Sequence, residues 1–514
     1  MKKIVGSALG AVVVLGVLST AGAWYTGQQL PAVLETSIKQ ANEDMGKTLP
    51  ALGLSATIEL VSLERQLFSS NARYRIQFAG SLDGESPSNF EWFVTDHIEH
   101  GPFPLSRLQA LKLLPVMATS NYALERSQEL EKWFASSQGG APLQGQVSLG
   151  YDRSMSGNLR VQPLQMALDE QTQIDFSGLQ IDFDSSANVE AISANGVMDS
   201  FKVTSTLSTD ESMRLEFKGM DLTSNSRKGV SDFYLGQNEV RLQQIELQVG
   251  ENAPILFKDF VQRDETSEAN QQLSARYSYD IGMVSYQGTD IGSSQMLWTV
   301  KNLDAAALKS MIELYGTLLQ SGKVDTESGM PELTDAQTAQ FKTDLEKLLA
   351  GKPGLALEKL AFKTANGESS FSFGLDLAKP ASFDLPAPEL AKQLIAQLDA
   401  KLLVSKAMIA DVIGVQATLA GETDKEAIAQ QAAMVGEMAS GMAVASELAV
   451  VQGQDISSSL HYANDQVAFN GKQMTVEQFV ELAMSSGGGL AGMAPETPAE
   501  EMLLEESEAQ SPIQ

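Results

Sequence analysis

The chain has 514 residues, of which 65 are acidic and 36 are basic, so its formal net charge at pH 7 is −29. A protein with this charge repels the phosphates of DNA and RNA, which excludes nucleic-acid binding. The absence of cysteine excludes thiol catalysis, iron–sulfur clusters, thiolate zinc sites and disulfide bonds.

The first 25 residues predict a transmembrane signal anchor. Lys2 and Lys3 precede an apolar run at 4–23, which at about 1.5 Å per residue is long enough to cross a bilayer core of roughly 30 Å. Trp24 and Tyr25 follow as an aromatic membrane boundary. Because flanking basic residues stay in the cytoplasm, we expect the rest of the chain on the far side of the membrane.

The same segment allows a second interpretation, in which it is a cleaved signal peptide. Ala21, Gly22 and Ala23 match the small-residue pattern that signal peptidase recognises. Cleavage after Ala23 would release a soluble protein, whereas an uncut segment would tether it. The apolar run is longer than the roughly 7–15 residues of a signal-peptide core, which favours the tether.

Residues 26–300 are predicted to form a juxtamembrane helix and a β-rich region. Apolar residues at 30–45 recur every three or four positions, which is the helical period. From about residue 54 they alternate with polar residues between short Gly, Asn, Ser and Asp breaks, as in antiparallel strands. A helical interlude is expected at about 105–136, divided by Pro115.

Residues 301–485 are predicted to mix helices with strands. Helices are expected from about 302 to 318, 334 to 351, 387 to 413 and 424 to 449, and a hairpin at 458–469. The last two helices are rich in Ala and Met, and their stripe of Met434, Met438 and Met442 is typical of a core or a partner contact. The acidic remainder at 486–514 is expected to be disordered.

These patterns predict an α+β fold in which β structure dominates. An N-terminal transmembrane helix is followed by an elongated antiparallel β-sheet body with packed helices. Four segments result: the anchor at 1–25, the β-rich region at 26–300, the α+β region at 301–485 and the tail at 486–514.

The densest group of chemically capable side chains closes an early strand. His97 and His100 lie at the end of an alternating run, and Gly101 with Pro102 predicts a sharp exit from the sheet. Strand alternation sends the two imidazoles to opposite faces, so they cannot bind one metal together. We therefore predict that His100, Gly101 and Pro102 form a structural motif, with His100 as a hydrogen-bonded core histidine.

No catalytic, cofactor-binding or metal-binding residues are predicted. The sequence lacks the nucleophile elbow, the zinc-protease helix, the phosphate-binding loop and the dinucleotide fingerprint. Acidic pairs such as Asp182 and Asp184 are typical of a solvated face in a chain this acidic. We expect a protein that is not an enzyme and that uses no cofactor.

Four short motifs in sequence order carry a family resemblance. They are Trp24-Tyr25-Thr26-Gly27, His100-Gly101-Pro102, Asn302-Leu303-Asp304 at the opening of a helix, and Phe469-Asn470-Gly471-Lys472. In this order they resemble the YdgA-like family of cell-envelope proteins of Gram-negative bacteria, whose function is unknown. The resemblance implies a single-pass protein of the bacterial inner membrane, with its C-terminal body in the periplasm. The resemblance assigns no catalytic residues, and the acidic tail departs from the common pattern.

The expected function is to bind or handle lipid or another hydrophobic component of the envelope. A long sheet with one apolar face must cover that face with helices, curl on itself or bind an apolar ligand. The alternative is an envelope scaffold or assembly factor that acts through protein contacts, including self-association into a homo-oligomer. The expected partners are therefore the membrane, through the N-terminal helix, and a lipid or an envelope protein.

Overall fold

The computed structural model describes most of the chain beyond the predicted anchor. The described residues are 30–49, 54–66, 68–80, 88–100, 102–128, 130–137, 140–167, 171–208, 211–320, 333–453 and 455–490. Trp24, Tyr25 and the rest of the anchor lie outside them, as do Gly101 and the chain after Leu490. Within those ranges, no helix combines the length and the apolar character that a membrane span requires.

The described residues form 22 strands and nine α-helices. The strands are β1 (Leu54–Arg65), β2 (Ser69–Gly80), β3 (Ser88–His100), β4 (Ala118–Leu124), β5 (Leu143–Leu149), β6 (Met155–Val161), β7 (Leu164–Ala167), β8 (Thr172–Phe176), β9 (Leu179–Ser185), β10 (Ala191–Ser208), β11 (Glu211–Lys228), β12 (Tyr234–Val249), β13 (Ile255–Ala269), β14 (Gln272–Tyr286), β15 (Thr289–Asp304), β16 (Gly354–Lys363), β17 (Glu368–Leu377), β18 (Ile395–Ser405), β19 (Val450–Gln452), β20 (Asp455–Ala463), β21 (Gln466–Phe469) and β22 (Lys472–Thr475). The helices are α1 (Leu30–Thr48), α2 (Leu105–Gln109), α3 (Glu131–Ser136), α4 (Ala305–Gln320), α5 (Asp335–Ala350), α6 (Ala387–Leu394), α7 (Lys406–Leu419), α8 (Lys425–Ala445) and α9 (Val476–Leu490).

All strands belong to one antiparallel sheet in which chain neighbours are mostly sheet neighbours. The order runs from β1 to β6, continues through β9 to β18, and then passes through β20 and β21 to β22. The hairpin of β7 and β8 extends the β6 and β9 pair along β10, and β19 lies beside β20. This confirms the predicted β-dominated antiparallel body with helices.

The main hydrophobic core lies under α1. The stripe of Leu34, Ile38, Ala41 and Met45 is buried against the apolar faces of β1 to β6. β1 is an edge strand, and Asn42 covers its open side, since the Asn42 amide exchanges hydrogen bonds of 2.9 and 2.8 Å with the Ile58 carbonyl and N–H. The predicted juxtamembrane helix therefore also protects the edge of the sheet.

Two of the predicted helical segments contain a strand. The interlude at 105–136 holds only the short helices α2 and α3, and β4 lies between them because it pairs with β3 on one side and β5 on the other. The segment at 387–413 is likewise divided by β18, which pairs with β17 and β20. In both cases pairing on two sides outweighs local helical propensity.

The other predicted boundaries are close to the observed ones. Thr334 caps α5 through a capping box with Gln337. Asp304 ends β15 and accepts a hydrogen bond of 2.8 Å from the Ala307 N–H, so the predicted helix opening is a strand end that caps α4. The last helix, α9, ends at Leu490 and thus extends five residues past the predicted start of the tail.

A crease crosses the middle of the sheet. Around the crease, the pairing register between neighbouring strands is constant, except that one pair of opposed residues in each strand pair is left unpaired. These unpaired positions line up across the sheet, and they are Asp199, Gly219, Gln243, Asp259 and Gly282, with Gly178 between β8 and β9 at the end of the line. Gly219 and Asp259 have φ of 60° and 53°, in the left-handed region. Glycine is required at Gly219, because a Cβ there would approach the Gln243 side chain to 2.3 Å. An irregular residue bends a strand and reverses the alternation of its side chains.

The sheet curls around the side on which α1 packs. β1 and β15 are twelve strand-to-strand steps apart, which would be roughly 58 Å in a flat sheet. Nevertheless α1 contacts α4, a helix of 16 residues that begins where β15 ends and is only about 24 Å long. Lys309 of α4 pairs with Asp232 of the β11–β12 turn at 3.3 Å, so α4 crosses the end of the sheet on its way to α1.

A matched pair of substitutions compares the covered and uncovered parts of the sheet. Ile98 is 0% exposed in the core beneath α1, whereas Ile281 is half-buried on β14. We expect Ile98→Ala to lower the free energy of unfolding by about 2–5 kcal/mol and Ile281→Ala by about 1 kcal/mol. Denaturant unfolding of the two variants checks this, and equal losses would contradict the described difference in packing.

Candidate functional site

Both histidines of the predicted motif hydrogen-bond to side chains of β2. His97 is exposed, with Nδ1 2.7 Å from the Asn71 side chain, whereas His100 is half-buried, with Nε2 3.1 Å from the Ser70 hydroxyl. The two imidazoles lie on opposite faces of β3, as predicted. In the described ranges, no three His, Asp or Glu side chains are grouped closely enough to hold a metal ion.

The motif fixes the connection between β3 and β4. The His100 N–H donates to the Phe68 carbonyl at 2.7 Å, and the Pro102 carbonyl accepts from the Val116 N–H at 3.0 Å. These two bonds close the connection at its base. His100 and Pro102 therefore position this connection, while Gly101 lies outside the described residues.

A buried carboxyl group beside the motif was not identified from the sequence. Asp96 is 2% exposed in the core under α1, and its Oδ1 accepts a hydrogen bond of 2.6 Å from the Ser120 hydroxyl. Its Oδ2 has no hydrogen-bond partner among the described residues, and neither has the buried hydroxyl of Tyr74. Burial raises the pKa of Asp96 to about 7, against the lowering effect of the Ser120 hydrogen bond.

The Asp96 site has the chemistry of a buried titrating group. Burial and the nearby Asp96 charge also raise the pKa of Tyr74, and burial raises that of Tyr122. Side chains of the core surround all three groups, and none of them lines the cavities beside α1 or on the polar face of the sheet. The alternating pattern of β3 could have revealed Asp96, because it falls on the same face as Val94 and Ile98.

The largest candidate surface is the face of β9 to β14 that continues the core. Ile181 and Phe183 of β9 pack against the core, and Ile181 and Leu222 flank Gly196 on the same side of the sheet. Beyond this point the face carries two rows of directly opposed apolar residues, one on each side of the crease. We call these residues the apolar face: Met220, Leu242, Phe260 and Ile281 in one row, and Phe201, Phe217, Ile245, Phe257 and Val284 in the other.

The crease explains why both rows belong to one face. On β11 the apolar residues are Leu215 and Phe217 before Gly219, and Met220 and Leu222 after it. The step from Phe217 to Met220 would place them on opposite faces of a regular strand. The reversal at Gly219 keeps both on the same face, and the same step recurs at 242 and 245 and at 257 and 260.

The apolar face is partly exposed, since most of its side chains are half-buried and only Leu242, at 8% exposure, is buried. Its aromatic ladder of Phe176, Phe201 and Phe217, with ring centroids 6.1 and 6.4 Å apart, is half-buried rather than buried. In the described part of the chain, no helix packs extensively on β10 to β14. Neighbouring side chains of the same sheet therefore supply the partial burial.

The opposite face of these strands is polar. Arg263 donates to Glu239 at 2.6 Å and to Asp280 at 3.3 Å, beside a cavity of about 550 Å³ lined mainly by charged and amide side chains. Exposed ion pairs of this kind contribute little stability but keep a face solvated. The sheet therefore has one polar face and one apolar face in this region.

Comparisons with known proteins give the family but no activity. A family model described as a bacterial protein of unknown function (DUF945) matches residues 1–477. Protein YdgA of Escherichia coli (strain K12) is 26% identical over 483 residues, which cover 92% of this chain and 95% of YdgA. Uncharacterized protein YihF of the same organism is 22% identical over 488 residues, covering 93% and 98%. No solved structure matches the chain significantly.

The pKa of Asp96 predicts a pH-dependent stability. Its pKa is raised from 3.8 to about 7, so between these values the unfolded chain is ionised at this group while the folded chain keeps its proton. The free energy of unfolding should therefore fall by up to about 1.4 kcal/mol per pH unit as the pH rises from about 4 to 7.

Asp96→Asn tests this assignment because it removes the titration and keeps a polar group beside Ser120. We expect the variant to show a smaller fall in stability between about pH 4 and 7 and to exceed the wild type above pH 7. Urea unfolding across this range measures both. An unchanged pH dependence would show that Asp96 ionises normally in the folded protein.

Proposed function

We propose that this chain, which belongs to the DUF945 family of bacterial proteins of unknown function, binds lipid or another hydrophobic component of the cell envelope on its apolar face. It acts without catalysing a reaction. Its predicted anchor at 1–25 holds it in the inner membrane of a Gram-negative bacterium, with the described body in the periplasm.

The observation that carries this proposal is the partly exposed apolar face itself. Each half-buried side chain of this face keeps part of its surface in water and forgoes a fraction of the roughly 1.5–3 kcal/mol that full burial provides. Soluble proteins rarely leave a contiguous apolar patch of this extent without a ligand or a partner. An apolar ligand on the face would recover that free energy.

The length of the face suits an acyl chain. From β10 to β14 there are four strand-to-strand steps, or about 19 Å across the sheet. One leaflet of a bilayer core is roughly 15 Å thick, which is half of about 30 Å. The crease extends the face on both sides of its line, so more than one chain can lie side by side.

A matched pair of aspartate substitutions tests lipid binding. Leu222 is half-buried on the side of the apolar face, whereas its neighbour Thr223 is exposed on the polar face of the same strand. We expect Leu222→Asp to reduce the lipid that copurifies with the full chain severalfold, because a carboxylate repels an acyl chain. Thr223→Asp should leave it unchanged.

Native mass spectrometry of the protein released from detergent measures the bound lipid. A wild-type chain free of lipid would contradict the proposal. Equal loss in both variants would indicate that a general effect on folding, and not the apolar face, governs lipid retention.

A second function, that of an envelope scaffold, is favoured by the methionines of α8. Met434, Met438 and Met442 lie on the outer side of this helix, and Met434 is 72% exposed. The predicted core role of this stripe is thus not observed. Exposed methionines form adaptable surfaces that pack against partner helices, so the stripe is the candidate contact for another envelope protein or a second copy.

Photocrosslinking in intact cells separates the scaffold from the lipid binder. We expect a photoreactive residue in place of Met438 to form a protein adduct if the scaffold function is correct. The same residue in place of Ala433, which is exposed on α8 away from the stripe, serves as the control. Equal adducts at both positions, or lipid adducts alone at Met438, would count against the scaffold.

A further inference from the structure

A second apolar surface lies at the end of the sheet where β3 connects to β4. Seven large apolar side chains are exposed there, by between 39% (Leu108) and 82% (Leu111). We call this group the apolar tip, and its members are Phe68, Phe103, Leu105, Leu108, Leu111, Leu113 and Leu114. Six of the seven fall within twelve consecutive residues.

Hydrogen bonds on the inner side of the β3–β4 connection hold it in place, so the exposure of its apolar side chains is fixed by the fold. Arg107 of α2 is buried, and its guanidinium donates to the Ser148 hydroxyl at 3.0 Å and the Leu114 carbonyl at 3.2 Å. The Glu99 carboxylate accepts from the Ser106 N–H at 3.1 Å. The charged side chain of Arg107 therefore points inward, whereas the apolar side chains of the tip point outward, which is unusual for a surface loop.

The charge of the tip also differs from that of the rest of the protein. Between Glu99 and Glu125 the sequence has no acidic residue, while it contains Arg107 and Lys112. The full chain has 65 acidic residues in 514. An anionic bilayer repels a segment without acidic residues less than it repels the acidic remainder of the chain.

The direction of α1 places the tip beside the predicted anchor. Hydrogen bonds place Asn42 of α1 beside Ile58 of β1. The helix runs antiparallel to β1, because its C-terminal end leads directly into the start of that strand. Leu30 precedes Asn42 by 12 residues, or about 18 Å of helix. Arg65 follows Ile58 by seven residues, or about 23 Å of strand. Leu30 therefore lies within roughly 5 Å of the level of the β1–β2 turn, which carries Phe68.

The predicted anchor ends only five residues before Leu30, which lies near the level of the tip. Phe68 joins the tip through its carbonyl, which accepts the His100 N–H at 2.7 Å. The last residue of the predicted anchor, Tyr25, precedes Leu30 by five residues, a span of at most about 17 Å. A bilayer that holds the anchor is therefore within reach of the tip.

We infer that the apolar tip inserts into the interfacial layer of the bilayer next to the anchor. This inference rests on the membrane anchoring proposed above. The tip then supplies a second attachment that fixes the orientation of the sheet on the membrane, since one helix alone leaves the body free to rotate about its linker.

The absence of cysteine allows a direct test on the full chain in vesicles of phosphatidylethanolamine and phosphatidylglycerol. Leu113→Cys, labelled with a polarity-sensitive fluorophore, should be quenched by nitroxide-labelled lipid and protected from aqueous iodide. The control is Val249→Cys, because Val249 is 42% exposed where β12 ends, at the opposite end of the sheet. Its label should be quenched by iodide severalfold more strongly than the label at residue 113.

Two outcomes would overturn the inference. Iodide quenching at residue 113 as strong as at residue 249 would place the tip in water. Protection from iodide without quenching by labelled lipid would assign the tip to a protein contact. Adding Leu111→Gln and Leu114→Gln to the labelled variant should shift its emission toward that in water. Lipid bound on the apolar face should persist in all these variants, which separates failure of the tip from failure of the proposed function.

Discussion

The removal of apolar surface from water is the constraint on which the rest of this structure depends. A sheet one strand thick has two faces, and this chain makes one of them apolar from β1 to β14. The chain covers only the first part of that face, where α1 buries Leu34 and Ile38 against β1 to β3. Farther along, Phe217 and Phe257 have only their neighbours in the sheet for cover. The fold therefore contains a completed core and, continuous with it, an apolar face on which no described helix packs extensively.

The crease allows long, twisted strands to present one continuous apolar face. Strands of 15 to 18 residues twist strongly, and a regular twist would turn the two ends of each strand in different directions. One irregular residue per strand, aligned from Gly178 to Gly282, bends all the strands along one line and preserves the register. In the sequence, this bend corresponds to the step of three residues between the apolar positions 217 and 220. The sheet can thus curl toward α4 without losing its pairing.

The sequence predicts well how apolar and polar residues alternate along the strands, but it predicts poorly which parts of the sheet a helix covers. Half-buried strands, the helix at 30–45 and the strand end at His100 all follow from local periodicity, and the structure agrees with them. Local periodicity predicts helix where β4 and β18 lie, because their identity as strands depends on pairing with other strands. Alternation along β3 places Asp96 on the same face as Val94 and Ile98, but the depth of its burial depends on the packing of the fold around it. Periodicity also shows that Leu222 faces away from Thr223, but whether a helix covers that face is a property of the tertiary fold.

In the proposed attachment, charge and apolar surface act together to orient the protein at a membrane. The net charge of −29 repels the body from anionic lipid, but this repulsion falls off over about 8 Å at physiological ionic strength. At contact, the burial of apolar surface dominates the free energy of binding, and it favours only the places where large apolar side chains are exposed. The segment from Phe103 to Leu114 is such a place, and it carries no acidic group. An approach through the polar face of the sheet would instead bring acidic side chains such as Glu239 and Asp280 to the lipid, so at these two surfaces charge and apolar exposure favour the same one.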